Sequence, residues 1–411
     1  MRAIHSSAAV PSPAELHPAL CKVTETLARE LAGPSRSAPD WSEYEWTIAR
    51  AVAAMHGISP LLARSLPWQG PKIWTTFLSE QRTHTRARYL RIQELLHCID
   101  EKAREMGLAT TALKGAALHQ LGLYEAGDRP MADVDLLVRP ADVERCASLL
   151  RSLGFRQSGE SWKERVFTPV EDSAAAEFGE HAANSLKIEL HERICEKLPR
   201  CITDVSDQIF PPLPRPGLNS YPSNGSLMCH LLLHAAGSMA FQGLRILQLH
   251  DIALLAKRMS DADWNEIAGS TSPAVPWWVY PPLELASRYY PADVPTGVLA
   301  ALRKHCPYVL RALATHRSLT EVSYSYLWVK AFPGIEWSRS IREMLEYASS
   351  RVRPNATHMA FRKQVADNEI WAKQGDWAGM SQGRRMLRWL TTRQTRPATM
   401  HVIAAAFVQT P

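Results

Sequence analysis

The chain contains 411 residues, of which 46% are hydrophobic and 21% are charged, a composition typical of globular proteins. Its net charge of +6 suits a polyanionic ligand but does not require nucleic acid. No apolar run reaches the roughly 18–20 residues that a membrane span needs, and the first ten residues lack the apolar run of a secretory signal. The seven cysteines are scattered without a Cys-x-x-Cys pair, which argues against a zinc site and a disulfide framework. We therefore expect a cytoplasmic protein with no membrane segment.

A chain of this length is expected to form two or three domains. Apolar residues recur at helical spacing through most of the first hundred residues, and a Gly-Pro-Ser cluster after the first helix indicates a linker. We therefore predict a helical N-terminal region over residues 1–100. Its helices are predicted at Pro13–Leu31, Trp41–Met55, Ile58–Leu66 and Thr75–Met106.

The pattern changes over residues 101–215, where short β-compatible runs alternate with helical ones. A helix at Pro140–Leu153 has an acid in its first turn and is followed by Gly154, a typical helix stop. This alternation predicts an α/β or α+β unit. Its other predicted elements are strands at 108–113, 129–138, 164–168 and 186–191 and a helix at 116–123.

The proline-rich segment Pro211–Gly217 ends this unit, and the chain then becomes helical again. We predict a helical domain over 216–330 and a basic helical region over 331–411, whose last twenty residues we expect to be loosely ordered. The basic amphipathic stretch Arg384–Trp389 indicates a solvated helix face or a contact with a polyanion. Helices are predicted at Ser226–Met239, Leu244–Met259, Asp261–Ala268, Leu283–Tyr290 and Val298–His305.

The strand predicted at 129–138 carries two carboxylates, Asp133 and Asp135, with one residue between them. Successive side chains of a strand point to opposite faces, so both carboxylates share one face, roughly 7 Å apart at the backbone. Two such groups repel each other, and burying them without a counter-ion is costly. The pattern therefore predicts either open solvent or a hard metal cation beside them.

Two cationic features precede these aspartates. Lys114-Gly115 stands between a predicted strand and a predicted helix, where a glycine lets the backbone approach a ligand and the free N–H groups attract phosphate; a plain turn is the alternative. Arg129 has two interpretations: a guanidinium that holds phosphate or orders the aspartates, or an ion pair with Asp128 or Asp133.

A third carboxylate stands on the later predicted strand at 186–191. Alternation places Lys187, Glu189 and His191 on one face of this strand. If the strand pairs near the first one, three carboxylates can hold two Mg²⁺ ions. The alternative is an exposed face of an edge strand.

Histidines in the helical half form weaker patterns. His230 and His234 are spaced as on zinc-binding helices, but the second position holds no glutamate and leucines surround them, so we expect histidines of the core or of a groove. We expect His250-Asp251 to be a helix-packing pair.

In combination, these motifs resemble the uncharacterised bacterial nucleotidyltransferase family of the DNA polymerase β-type superfamily. The resemblance covers roughly residues 85–345 and is most specific over 113–138. It is carried by Leu113–Leu118, Tyr124, Arg129–Val138, Leu153–Phe155, Ile188–His191, His230, His234, Arg245, Asp251 and Trp264.

The resemblance implies an α+β fold, with a two-layer α/β nucleotidyltransferase core over 101–215 built on a short mixed sheet and flanked by mainly helical regions. It implies Mg²⁺ as the cofactor, with Mn²⁺ as an alternative, held by the catalytic acids Asp133, Asp135 and Glu189. The implied nucleotide-binding residues are Lys114, Gly115, Ala116, Arg129, Lys187 and His191.

The implied reaction moves an NMP, with AMP from ATP the first choice, to a hydroxyl or phosphate of an acceptor and releases pyrophosphate. Because members of the family can neighbour peptide natural-product genes, a peptide or small molecule is the expected acceptor, ahead of nucleic acid. The broader superfamily has a serine where this chain has Ala116. The alternatives are therefore a non-catalytic nucleotide-binding or antitoxin-like protein, or phosphoryl transfer on the same fold. The oligomeric state stays open.

Overall fold

The structure is a computed structural model that describes residues 11–171, 178–268, 276–354, 359 and 380–408. Four helices open the chain close to their predicted positions. Ser12 and Ser42 begin the first two of them in reciprocal hydrogen bonds with Glu15 and Glu45, which satisfy N–H groups that a helix start leaves free. The helices are α1 (Pro13–Ala32), α2 (Glu43–Met55), α3 (Ser59–Ser65) and α4 (Lys72–Glu105).

Six strands form one mixed sheet in the order β3-β4-β5-β2-β1-β8. Strand β2 pairs in parallel with β5 and antiparallel with β1, while β8 adds a parallel edge to β1. Strands β6 and β7 form a separate hairpin. The strands are β1 (Ala109–Ala112), β2 (Asp133–Val138), β3 (Phe155–Glu160), β4 (Glu164–Pro169), β5 (Lys187–His191), β6 (Cys195–Leu198), β7 (Cys201–Asp204) and β8 (Gly217–Asn219).

Short helices connect the strands, and the sheet buries one face. Val134 and Leu136 of β2 and Ile188 of β5 lie in a core that α4 shares through Ile92 and Ile99. This alternation leaves the odd-numbered residues of β2 on the opposite face, toward the helical half of the chain. The connecting helices are α5 (Lys114–Gln120), a 3₁₀ turn (Pro140–Asp142), α6 (Val143–Ser152) and α7 (Ser206–Ile209).

The rest of the chain is helical in the residues that the structure describes. These helices are α8 (Asn224–Ala240), α9 (Ile246–Ala256), α10 (Asp261–Ala268), α11 (Tyr280–Tyr289), α12 (Thr296–His305), α13 (Tyr308–His316), α14 (Leu319–Val322), a 3₁₀ turn (Ile335–Trp337), α15 (Ile341–Val352), α16 (Gln382–Thr391) and α17 (Pro397–Val408). The mixed sheet with helical flanks confirms the predicted α+β class.

The expectation of a loosely ordered C-terminus is wrong for residues 397–408, which form α17. Ile403 and Ala406 of this helix are fully buried, and Arg50 of α2 donates a hydrogen bond to the Ala406 carbonyl at 3.0 Å. Apolar packing on α2 supplies the order that a polar tail would lack.

Some of the predicted regions include residues that the structure does not describe. The first ten residues, and residues 355–358, 360–379 and 409–411 of the predicted basic C-terminal region, lie outside the described residues. The three predicted domain boundaries stay predictions; α4 runs without a break through residue 100, and β8 joins the sheet at 217–219. In the part of the chain that is described, no helix has the length and apolar character of a membrane span.

Candidate active site

Strands β2 and β5 bring the predicted acids together. Their register places Asp133 beside Lys187 and Asp135 beside Glu189. Neighbouring residues in a parallel pair point to the same face, so both aspartates and Glu189 project toward the helical half. The strands therefore assemble the three carboxylates that the sequence pattern predicted.

Asp135 is the most strongly paired of these acids. It is 4% exposed, and its Oδ1 lies 2.8 Å from Lys114 Nζ and 3.0 Å from His191 Nε2. Burial alone would raise the pKa of this carboxyl, but Lys114 and His191 outweigh burial and hold the pKa well below its usual range. Asp135 is therefore ionised and has a cation beside it.

Asp133 and Glu189 are in the opposite electrostatic situation. Burial and the charge of Asp135 raise the pKa of Asp133. Burial, followed by the charges of Asp133 and Asp135, raises the pKa of Glu189 to about 9. The cluster thus holds more negative charge than its neighbours neutralise, and an added cation would favour the ionised form of both groups.

The donor atoms fit a divalent metal ion. One ligand atom from each of Asp135, Glu189 and His191 lies within 4.8 Å of the other two. The Oε2 atom of Glu164, on the neighbouring strand β4, is buried without a hydrogen-bond partner among the described residues, and it lies 3.8 Å from His191 Nδ1. Carboxylate oxygens are the ligands that Mg²⁺ and Mn²⁺ prefer.

The turn between β1 and α5 is strained at Lys114. This residue has a φ of 44°, in the left-handed region that side chains other than glycine rarely adopt. Its N–H donates to the Tyr221 hydroxyl at 3.3 Å, and the Ala116 N–H donates to the Leu113 carbonyl at 3.2 Å. The turn thus holds the Lys114 side chain against Asp135. The backbone N–H groups of Lys114 and Ala116 already have acceptors.

Arg129 pairs with a different acid from those weighed in the sequence. Its Nε and Nη2 atoms donate to the two carboxylate oxygens of Asp251 at 2.9 and 2.7 Å, and Tyr124 donates to the same carboxylate at 2.6 Å. Asp251 is therefore the partner of this arginine and not part of a His250 packing pair. Asp128, fully buried, pairs instead with Arg64 and Arg82.

Gly115 allows this arginine to lie against the turn. A Cβ atom at Gly115 would lie 2.3 Å from Arg129 Nη1 and 2.9 Å from the Met131 side chain. A side chain at position 115 would therefore displace Arg129 from its position on Asp251.

A cleft of about 300 Å³ opens over the acids. His191 lies behind Asp135 and lines an adjoining small cavity, and Lys187 is exposed beside the cleft. The predicted residues that line the cleft are Lys114, Gly115, Ala116, Arg129, Asp133, Asp135 and Glu189.

Several lining residues were not predicted as site residues. Glu164 begins a strand that the sequence indicated, but only the β4–β5 register, Glu164 to His191, places it here. Arg245 and Tyr324 come from the helical half, and the Arg245 guanidinium lies 5.3 Å from the Tyr324 ring centre. Arg245 belonged to the family pattern, which was the available signal. The remaining lining residues that were missed include Lys163, Ser238 and Gln248, whereas His234 was expected in the core or in a groove.

A second charged group adjoins the acids. Lys163 Nζ lies 3.0 Å from Glu196 Oε1, and His234 Nδ1 lies 3.9 Å from the same oxygen. Burial would raise the pKa of Glu196, but the partners lower it to about 2, whereas burial lowers the pKa of His234 to about 4. His230 Nδ1 lies 2.7 Å from the Tyr221 hydroxyl, so His230 and His234 have different polar partners.

The comparisons with known proteins identify the family. No curated protein and no solved structure matches the chain significantly. A family model described as "Uncharacterised nucleotidyltransferase" matches residues 42–272, more than half of the chain. This range contains β2, β5 and the three acids of the cleft. The chain therefore belongs to the uncharacterised nucleotidyltransferase family.

Proposed function

We propose that this protein is a Mg²⁺-dependent nucleotidyltransferase that moves the NMP of an NTP, with ATP as the first choice, to an acceptor and releases pyrophosphate. The acceptor is proposed to be a hydroxyl or phosphate of a peptide or small molecule, with a cytoplasmic location. The observation that carries the proposal is the paired register of Asp133, Asp135 and Glu189 on two parallel strands at the floor of one cleft.

The metal site is proposed at Asp133, Asp135 and Glu189, with Glu164 beside them. The raised pKa values of Asp133 and Glu189 support the binding of a positive charge at this point. The Glu164 oxygen supports it as well, since it makes no hydrogen bond among the described residues and its contacts with Lys163 and His191 are both as long as 3.8 Å. When bound there, Mg²⁺ or Mn²⁺ would polarise phosphate oxygens and neutralise the charge that develops during transfer.

The cationic side chains of the cleft have a role in holding the triphosphate. Lys114 and Lys163 both line the cleft, and cationic side chains favour phosphate groups in a site of restricted solvent access. Arg129 Nη1 lies against the Gly115 turn while Asp251 fixes the rest of its guanidinium. Gly115, Ala116, Lys187 and His191 remain proposed nucleotide-binding residues at the turn and at the edge of the acid cluster.

Transfer would form a bond between the acceptor oxygen and the α-phosphorus and break the bond from that phosphorus to the oxygen that bridges to the β-phosphate. Glu189, whose carboxyl faces the cleft, would take the acceptor proton, and pyrophosphate would leave. Most of the acceleration in such a reaction comes from positioning and from charge stabilisation, so loss of one acid should reduce the rate severely.

The test uses Asp133→Asn, which keeps the shape of a group whose pKa is already raised. Calorimetry would measure binding of ATP and of the other NTPs with and without Mg²⁺, and pyrophosphate release would measure turnover. We expect Mg²⁺-dependent binding in wild type, and in Asp133→Asn a loss of turnover of about 100-fold or more with an unchanged circular dichroism spectrum.

Asp40→Asn, which changes an exposed aspartate away from the cleft, is the matched control and should behave as wild type. Well-folded wild-type protein that binds none of the nucleotides would contradict the proposal.

A non-catalytic nucleotide-binding role is the second candidate. It is favoured by Ala116, in place of a hydroxyl side chain, and by the acceptors already held by the Lys114 and Ala116 N–H groups. In that case Mg²⁺-ATP would bind without release of pyrophosphate. Release of ADP would instead indicate phosphoryl transfer.

A further inference from the structure

A second cavity of about 300 Å³ adjoins the cleft. Both spaces share Pro130, Ala132, Arg245 and Tyr324 as walls. The second cavity extends away from the sheet between α2, α3 and the C-terminal helix α17, which contributes Ala398, His401 and Val402. A molecule bound in it can therefore reach the acids through a shared opening.

The position of this cavity suits the attacking group. The second cavity lies beyond the amino end of β2, next to Ala132. Lys114 and His191 contact Asp135, which lies further along the same strand. Lys114, Lys163 and His234 are shared with a different, small cavity. In phosphoryl-type transfer the attacking and leaving oxygens lie roughly in line, on opposite sides of the phosphorus. With the pyrophosphate held by Lys114 and Lys163, the acceptor therefore approaches from the side of the second cavity.

The walls of the cavity indicate the kind of group it takes. Met55, Pro60 and Val402 provide apolar surface, while Ser59 is 2% exposed and its hydroxyl has no hydrogen-bond partner among the described residues. A buried hydroxyl without a partner is costly, and a bound polar group would satisfy it. At about 30 Å³ for each molecule of liquid water, the volume equals that of roughly ten water molecules, which leaves room for a group the size of a tyrosine side chain.

An ionic group of either sign would meet one repelling charge at the cavity. The Glu180 carboxylate, held by Arg88 at 3.1 Å, is part of the wall and would repel phosphate or carboxylate. Arg245 at the shared opening would repel an amine. A neutral group with a hydroxyl and an apolar face meets both conditions.

We propose that this second cavity is the acceptor subsite, and that it takes a neutral, hydroxyl-bearing group with an apolar face, about the size of a tyrosine side chain. The proposal rests on the nucleotidyltransferase function proposed above. The acceptor hydroxyl oxygen forms the new bond to the α-phosphorus of the nucleotide, its proton passes to Glu189, and pyrophosphate leaves with the electrons of the broken bond.

Part of the subsite lies outside the range that the family model matches. Tyr324, Ala398, His401 and Val402 all lie outside residues 42–272, the range that the family model matches. The acids of the cleft lie inside that range. The C-terminal helix would then share in setting the acceptor choice, together with Ser59 and Glu180, while the acids of the sheet supply the chemistry.

The experiment fills the cavity without touching the acids. Ala398→Trp places an indole in the second cavity, and Ala404→Trp puts the same side chain on the same helix at a position that lines none of the described cavities near the cleft. Binding of N-acetyl-tyrosinamide would be followed by ligand-observed NMR and its labelling by α-³²P-ATP, with glycerol 3-phosphate as the anionic comparison. Mg²⁺-ATP affinity and thermal stability would be measured on the same samples.

We expect wild type and Ala404→Trp to bind N-acetyl-tyrosinamide in preference to glycerol 3-phosphate. In Ala398→Trp that affinity should fall by about tenfold or more, with labelling reduced to match and Mg²⁺-ATP affinity unchanged. Equal binding of the probe by the two tryptophan variants, preference for glycerol 3-phosphate, or no binding of the probe to wild type would overturn the proposal. Failure of the proposed function would appear separately, as absent Mg²⁺-ATP binding or as probe binding without labelling.

Discussion

At the residue scale, Lys114 serves as the counter-ion of a buried carboxylate. Removing one partner of a buried pair leaves an uncompensated charge, which costs about 3–5 kcal/mol. Lys114 Nζ contacts Asp135 at 2.8 Å. We therefore expect Lys114→Met to lower the free energy of unfolding by about 3–5 kcal/mol in EDTA, and excess Mg²⁺ to restore part of the loss. Urea denaturation in the two buffers measures both effects.

Lys187→Met is the matched control, because Lys187 faces the same side of the sheet beside Asp133 but is exposed. Its unfolding free energy should change by less than about 0.5 kcal/mol. Equal losses in the two variants would contradict the assigned role of Lys114.

The protonation of Glu189 predicts a pH dependence of stability. Its pKa rises from 4.5 to about 9 in the folded chain, so between these values the folded state keeps a proton that the unfolded state has released. The stability contribution of this group therefore falls as the pH rises toward 9. In EDTA, the Tm of wild type should fall with pH more steeply than that of Glu189→Gln, as measured by calorimetry.

Glu94→Gln, at an exposed position of α4, should retain the wild-type pH profile. A Glu189→Gln profile parallel to wild type would contradict burial of this carboxyl among the other acids.

The sequence predicted the residues of the acid cluster better than their partners. Alternation within a strand places Asp133 and Asp135 on one face regardless of the rest of the fold. The same alternation on the later strand identified Glu189 as the third carboxylate, on condition that the two strands pair. The contact of Arg129 with Asp251 spans 122 residues of sequence, and no local periodicity encodes such a distance. Glu164 was missed because its position depends on the register between β4 and β5, which the alternation within one strand does not give.

At the element scale, the start of α5 depends on close packing with Arg129. The Cβ of Gly115→Ala would lie 2.3 Å from Arg129 Nη1, and Asp251 holds that arginine at two atoms. We expect this variant to lose about 1–3 kcal/mol of stability through overpacking, as measured by urea denaturation.

Gly297→Ala provides the comparison, since Gly297 is also the second residue of a helix. Apart from its chain neighbours and the backbone of its own helix, no atom of the described residues lies within 4 Å of the point where an added Cβ would stand. It should be neutral or stabilising by up to about 1 kcal/mol. A loss of stability at Gly297 equal to that at Gly115 would contradict the packing explanation.

Elements with a strong periodicity were predictable, and short polar ones were not. The helices α1 to α4 and α8 to α12 lie near their predicted positions because apolar residues recur along each of them. Strand β3 is mostly exposed, and β8 has only three residues, so neither shows a buried alternation. Helix α17 is apolar on most of its surface, so its sequence shows no contrast between an apolar and a polar face that would predict a helix. Its order comes from packing on α2.

At the scale of the whole molecule, the C-terminal helix ties the end of the chain to the helical core. Ile403 is fully buried there. We expect Ile403→Ala to lower the free energy of unfolding by about 2–5 kcal/mol, because it removes buried surface and leaves a cavity. Val408→Ala, at a side chain that is 67% exposed, should change it by less than about 0.5 kcal/mol. Similar values for both variants, in parallel urea titrations, would show that α17 contributes little to stability.

Helix α4 belongs to both of the hydrophobic cores in the described chain. Trp74 and Phe77 in its first half pack into the core of the helical regions, whereas Ile92 and Ile99 in its second half pack into the core beneath the sheet. A rigid rod of 34 residues spans about 50 Å at 1.5 Å per residue. A recombination event within this helix would leave each product with half of an apolar stripe and no core to receive it. The two halves of this protein are therefore expected to be inherited together.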